Sequence, residues 1–173
     1  MSNENQKPAP TYIREIELRY RKRRVKSDAP VHDPLTDPDK VYELFNDLQN
    51  EAKEKLITIS LDAKLKMLCF EIVAVGSIDS IYSRPAEALR ASIALNAHGV
   101  ILVHNHPSGD PAPSQTDRNF TYRLLFDTLS LGIDFHDHII IGDHRYFSFA
   151  KEGVMKRLLA EARAERRRTL KNI

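Results

Sequence analysis

The chain has 173 residues, 42% of them hydrophobic and 29% charged, with a net charge of +2 and one cysteine. That is enough chain for one domain with a buried core plus terminal extensions. It excludes an internal disulfide, and no apolar run reaches the roughly 18 residues that a membrane span needs. A lone cysteine and a polar start, Met1 to Tyr12, without a charged-then-apolar leader set the expectation of a cytoplasmic protein with no membrane attachment. The net charge hides a division: residues 14–26 and 151–173 each carry +5, which leaves about −8 on residues 27–150. An acidic centre argues against the domain itself reading nucleic acid, so any such partner falls to the basic ends.

Residues 1–10 are polar and contain proline, which predicts disorder. Tyr12, Ile13, Ile16 and Tyr20 stand at helical spacing and predict a short amphipathic helix over 11–25. The Arg/Lys run that ends it reads first as a solvated helix end and second as a phosphate-binding stretch. Pro30, Pro34 and Pro38 mark 26–39 as a linker. Asp37-Pro38-Asp39 then starts a helix with Val41, Leu44, Phe45 and Leu48 on its apolar side. Strands are predicted over 55–61 and 66–75, joined as a hairpin through Asp62 to Leu65. Pro85 opens a helix with a wide small-residue face (Ala88, Leu89, Ala91, Ile93, Ala94, Leu95, Ala97), which Gly99 is expected to end. After a buried strand at Gly99–Val103 come a helix from Ser114 to about Ser130, strands over 133–141 and 146–149, and a surface helix over 154–168. That last helix has Val154, Leu158, Leu159 and Ala162 on one side and a solvated tip at Glu165-Arg-Arg-Arg168. The expected division is a basic N-terminal helix and linker over 1–37, one domain over 38–153, and a basic C-terminal helix over 154–173.

The chemistry concentrates after the Gly99–Val103 strand, in His104-Asn-His106-Pro-Ser-Gly-Asp-Pro-Ala-Pro-Ser114-Gln-Thr-Asp117. Alternate residues of a strand share a face, so His104 and His106 point one way and Asn105 the other. Pro107, Gly109, Pro111 and Pro113 turn the chain, and the helix from Ser114 carries Asp117 in its first turn. The turn lets His104, His106 and Asp117 converge. Two imidazoles and one carboxylate suit zinc and leave a fourth position open, as in catalytic sites. Each part also has a plainer reading. Ser114 and Asp117 form a helix-capping pattern, and a histidine at a strand end is usually a polar terminus. Capping and metal binding are compatible: one short acid is expected to serve a single role, and Ser114 can take either.

The His-x-His-x7-Ser-x2-Asp spacing resembles the JAMM motif of MPN-domain metalloproteases, and the wording of this stretch resembles the RadC branch. The resemblance runs over about residues 38–153. It includes Glu54-Lys-Leu-Ile-Thr-Ile-Ser-Leu-Asp62, Val75-Gly-Ser-Ile-Asp79, Arg84-Pro-Ala-Glu87 and Asp137-His-Ile-Ile-Ile-Gly142. It implies an α/β fold with a mixed β-sheet flanked by helices, layered as in cytidine deaminases, with helical extensions at both ends. Longer RadC-like chains carry a helix-hairpin-helix module first. The 37 residues preceding the domain lack its glycine pattern, so a short form is expected.

The resemblance implies zinc hydrolysis of an amide, with His104, His106 and Asp117 as ligands. Glu54 would be the base, and Ser114 a hydrogen-bond donor to the developing oxyanion. Pattern alone does not separate Glu54 from Glu71, and Glu51 reads as a surface charge. The family arrangement favours Glu54. Substrates implied are proteins or peptides, including conjugates of a ubiquitin-like protein through a lysine side chain. Asp137 and His138 match the family's Asp-His and read either as supports of the site or as a polar pair of the fold. Ser108 reads as a turn residue near the metal. His32, His98 and His144 read as surface residues, Arg84 and Arg90 as solvated, and Cys69 as a small core residue. The rival reading is a DNA-repair-associated protein that binds DNA through its basic ends. A non-catalytic scaffold is disfavoured by the intact motif, and a zinc deaminase by the lack of His-x-Glu and Cys-x-x-Cys. Oligomeric state is not legible.

Overall fold

The computed structural model describes residues 16–17, 19–22, 24, 31–76 and 84–171. A five-stranded mixed sheet runs through them in the order β2-β1-β3-β4-β5. The strands are β1 (Lys55–Leu61), β2 (Met67–Val75), β3 (Gly99–Asn105), β4 (Asp134–Ile141) and β5 (Tyr146–Ser148). β1 pairs antiparallel with both β2 and β3, β3 pairs parallel with β4, and β4 pairs antiparallel with β5. The parallel pair needs a crossover, and α3 (Gln115–Leu131) supplies it. The remaining helices are α1 (Pro38–Phe45), α2 (Pro85–Ala94) and α4 (Val154–Lys171). This is the mixed sheet flanked by helices that the resemblance implies.

β3 is the central strand, and all seven of its residues are buried. Its even positions Val100 and Leu102 join Leu56, Ile140, Phe149 and residues of α2, α3 and α4 in one core. Its odd positions Ile101 and Val103 join Val41, Phe45, Ile57 and Ile139 in the other. A near-continuous apolar run is what a strand covered on both faces requires. Burying a side chain of this kind stabilises by about 1.5–3 kcal/mol. His104 continues the even series and therefore points into the α3 side.

Local chemistry sets the helix boundaries. Asp37 accepts from the Asp39 N–H at 2.9 Å, and Pro38 supplies a preset first turn. Leu48 follows α1 in a short 3-10 turn, Asn46–Asn50. α3 opens on a reciprocal cap between Ser114 and Asp117 and closes on Gly132, whose φ of 70° suits glycine.

Three expectations need correction. Residues 16–17, 19–22 and 24 are not helical; Ile16 is 90% exposed and Tyr20 64%, so none of the described residues covers the supposed apolar face. The rest of the 11–25 helix lies outside the described residues. α2 stops at Ala94, and Gly99 does not end it but starts β3. A Cβ at Gly99 would fall 2.4 Å from His136 Nε2, so a side chain there would require the His136 ring to move. Finally, α4 is more than a surface arm: Val154, Met155 and Ala162 are buried in the α3-side core.

Candidate metal centre

The site lies where β3 leaves the sheet. The His106 N–H still bonds to the Ile141 carbonyl at 2.9 Å, so the second histidine stays tethered to β4 after β3 has ended. The chain then folds down on the β4–β5 turn. Gly109 adopts φ +78°, and its carbonyl accepts from the Asp143 N–H at 2.9 Å. Gly142 makes this closure possible: a Cβ there would lie 2.5 Å from the Gly109 carbonyl and 2.7 Å from Pro111 Cδ. The turn delivers Ser114 and the first turn of α3 back to the end of β3.

His104, His106 and Asp117 meet as the motif requires, with one ligating atom of each within 4.8 Å of the others. His104 Nε2 lies 3.3 Å from Asp117 Oδ1, and His106 Nε2 lies 3.6 Å from Oδ2. The two Nε2 atoms are 2.9 Å apart. His104 and Asp117 are buried, while His106 opens partly to solvent.

The surrounding bonds fix the tautomers. His106 Nδ1 lies 2.7 Å from the Asp110 carbonyl, which can only accept, so Nδ1 carries the proton. The Thr121 hydroxyl donates its single hydrogen to the Asp117 carbonyl at 2.6 Å. Its oxygen must then accept from His138 Nδ1, also at 2.6 Å. Burial lowers the His138 pKa well below its ordinary value, with the neighbouring histidines acting the same way, so the ring is neutral. His138 Nε2 is therefore an acceptor, and His104 Nδ1 donates to it at 2.8 Å. Both Nε2 lone pairs consequently point at Asp117. Two imidazole lone pairs 2.9 Å apart repel unless a proton or a metal ion lies between them. The donor set thus fits a bound metal ion, and hydrogen-bonded Nδ1 atoms are the usual support of metal-ligating histidines.

The electrostatics agree. Burial would raise Asp117, but the two facing rings of His104 and His106, which become cations when Nε2 takes a proton, and the Ser114 hydroxyl hold it well below the usual carboxylate range. Burial opposes charge on His106, yet the Asp117 carboxylate, the Asp110 carbonyl and the negative charge of Glu54 outweigh it and raise its pKa. The site stabilises positive charge at this point.

Asp117 serves the cap and the histidines together, contrary to the expectation of one role for one short acid. Its Oδ2 accepts from the Ser114 N–H at 2.7 Å and from the Ser114 hydroxyl at 2.6 Å, while its Oδ1 faces His104. A carboxylate has lone pairs enough for both. The Ser114 hydroxyl is thus engaged with Asp117, and it also accepts from the Asp117 N–H at 3.1 Å.

Among the three candidate acids, Glu54 directly precedes β1, whose Leu56 pairs with His104, and its charge acts on His106. Glu71 lies on β2, one strand further out, and is ion-paired with Arg90. Arg90 is solvent-exposed, as expected, and also pairs with Glu71. Glu51 pairs with Lys55 Nζ at 2.6 Å. Asp137 and His138, read as one couple, divide their labour. Asp137 accepts from Ser148 Oγ at 2.5 Å and from the N–H groups of Ala150 and His138, each at 2.8 Å. Burial nevertheless pushes its pKa up to about 6. It joins β4 to the turn before α4 and does not reach the ligands. Ser108 accepts weakly from the Asp110 N–H at 3.4 Å, as a turn residue does. Thr121 escaped the sequence reading. It stands one helical turn after Asp117, and that i, i+4 spacing was the available signal.

Comparison with known proteins gives a consistent picture. The family model described as RadC-like JAB domain matches residues 35–154. A UPF0758 protein of Aquifex aeolicus is 40% identical over 121 residues, 70% of this chain and 52% of that protein. One from Methanosarcina mazei is 42% identical over 123 residues, 70% of this chain and 54% of that protein. One from Thermotoga maritima is 41% identical over 114 residues, 66% of this chain and 51% of that protein. The chain spans about half the length of the curated relatives it matches.

Proposed function

This chain belongs to the RadC-like JAB domain family, and from that premise we propose that it is a zinc-dependent hydrolase of the JAMM type, cleaving a peptide or isopeptide bond. The observation that carries the reading is the pair of Nε2 atoms 2.9 Å apart, facing a buried carboxylate. His104, His106 and Asp117 would hold the ion. Two imidazoles and a carboxylate are a common zinc set that keeps a position open for reaction. Bound zinc would supply a Lewis acid that acidifies water and polarises a carbonyl.

The chain's own residues do the rest. Glu54 takes a proton from the attacking water and returns it to the leaving nitrogen, as a base-then-acid must in amide hydrolysis. Ser114 turns its hydroxyl from Asp117 towards the developing oxyanion, a contribution of roughly 3 kcal/mol to the barrier. His138 and Thr121 keep His104 in the ligating tautomer. The substrate class is a protein or peptide, with a lysine-linked conjugate of a ubiquitin-like protein as one form.

The test is hydrolysis of quenched fluorescent peptides, linear and lysine-branched, by zinc-loaded protein. Cleavage by the wild type, lost in Glu54→Gln with zinc retained, supports the reading. Equal cleavage by Glu54→Gln contradicts the assignment of the base.

A second reading concerns the partner. A cleft of about 810 Å³ between α3 and α4 is lined by Arg118, Arg123, Arg157 and Tyr122. Glu161 also lines the cleft, and Arg168 follows on the same side of α4 about three turns on. Nucleic acid could be held there through its phosphates. Binding of a DNA duplex that weakens steeply with salt, and falls on Arg123→Ala/Arg157→Ala, would favour it.

A further inference from the structure

The residue between the two histidines faces away from the metal centre, yet it is buried and its side chain is fully engaged. Asn105 Oδ1 accepts from the Lys55 N–H at 2.8 Å. Asn105 Nδ2 donates to the Lys53 carbonyl at 3.2 Å. The two partners flank Glu54 on either side. We propose that Asn105 is a positioning residue: it clamps the backbone around Glu54 and so ties the base to the ligand-bearing strand.

The need for such a clamp follows from the sheet. The β1–β3 ladder ends with Leu56 opposite His104. Before that pair the chain emerges from the irregular stretch at 51–54, where strand pairing to β3 has ceased. The Glu54 carbonyl accepts from the Gly76 N–H at 2.9 Å, which ties it to the β2 side. On the β3 side the Asn105 amide takes the place of the next ladder bonds. One amide matches both partners, because its oxygen can only accept and its nitrogen can only donate. An aspartate there would keep the first bond and repel the Lys53 carbonyl. Three consecutive residues, His104, Asn105 and His106, thus supply two metal ligands and the anchor of the base. Any movement of β3 carries all three together, which preserves the reach that proton transfer requires.

The inference rests on Glu54 being the base, and its test separates the two ideas. Asn105→Ala and the isosteric Asn105→Asp are compared with wild type in the zinc-loaded protein. The expected result is unchanged zinc content, with amide hydrogen exchange at Lys55 accelerated at least about tenfold in Asn105→Ala. In Asn105→Asp the Lys55 amide stays protected. With the fluorescent peptides, kcat falls about tenfold or more in Asn105→Ala while KM holds, and adding Asn105→Ala to Glu54→Gln costs nothing further. Unchanged Lys55 exchange in Asn105→Ala overturns the clamp, and an undiminished effect of Asn105→Ala in the Glu54→Gln background overturns its action through Glu54. Should Glu54→Gln itself cleave like wild type, the functional reading fails, while the exchange data still judge the clamp.

Discussion

Asp117 and Asp137 are both buried carboxylates, 3% and 6% exposed, and both accept several hydrogen bonds. They are driven in opposite directions. Asp137 receives neutral donors from β4, β5 and the following turn, and burial still pushes it up to about 6. Asp117 receives a similar cap from Ser114 but also faces two imidazoles, and these hold it far down. Neutral donors alone therefore do not hold a buried acid in the usual carboxylate range in this protein; partners able to carry positive charge do. Asp137 serves the fold, whereas Asp117 belongs to a group that could hold a metal ion.

The difference can be broken most forcefully at the ligand. Asp117→Asn is expected to weaken zinc binding more than about 100-fold, beyond what a supporting residue costs. Asp137→Asn should keep zinc at one per chain and instead destabilise by about 1–3 kcal/mol, because one of its three donors loses its acceptor. Zinc titration and urea unfolding of both variants check the pair. Replacing His138 by Phe should cost about 10–100-fold in zinc affinity, and Thr121→Val less in the same direction, since the relay to His104 Nδ1 is cut further out.

The two acids should also tilt stability in opposite ways in metal-free protein. The folded pKa of Asp137 lies above its unfolded value, so its contribution is complete below about pH 4 and is lost as pH rises through 6, about 3 kcal/mol at most. The folded pKa of Asp117 lies below its unfolded value, so its contribution is present above about pH 4 and lost on acidification. Unfolding curves between pH 4 and 7 should show the first slope in wild type and not in Asp137→Asn. The smallest effect belongs to the surface: Tyr122→Phe removes an exposed bond to Glu165 and should change stability by less than about 1 kcal/mol.

Much of this site could be read before any coordinates. The apolar run at Gly99–Val103 could only be a buried strand, and the prolines and glycine after it forced a turn that returned Asp117 to the histidines. What escaped depends on long-range register. Glu54 and Glu71 are equally plausible upstream acids until β1, and not β2, is seen to lie against β3. Asn105 looked idle because strand alternation says where a side chain does not point, and its partners are 50 and 52 residues away. The described residues 16–17, 19–22 and 24 are not helical for a related reason: helical spacing of Ile16 and Tyr20 promises a stripe, but a short helix needs a surface to bury it.

The central claim is that His104, His106 and Asp117 hold a metal ion beside Glu54. Elemental analysis of purified protein, prepared under metal-replete conditions, tests it directly. Close to one zinc per chain is expected in wild type and in Glu54→Gln, and none in His104→Ala/His106→Ala. A wild type that binds no zinc, or a double histidine variant that keeps it, would contradict the account.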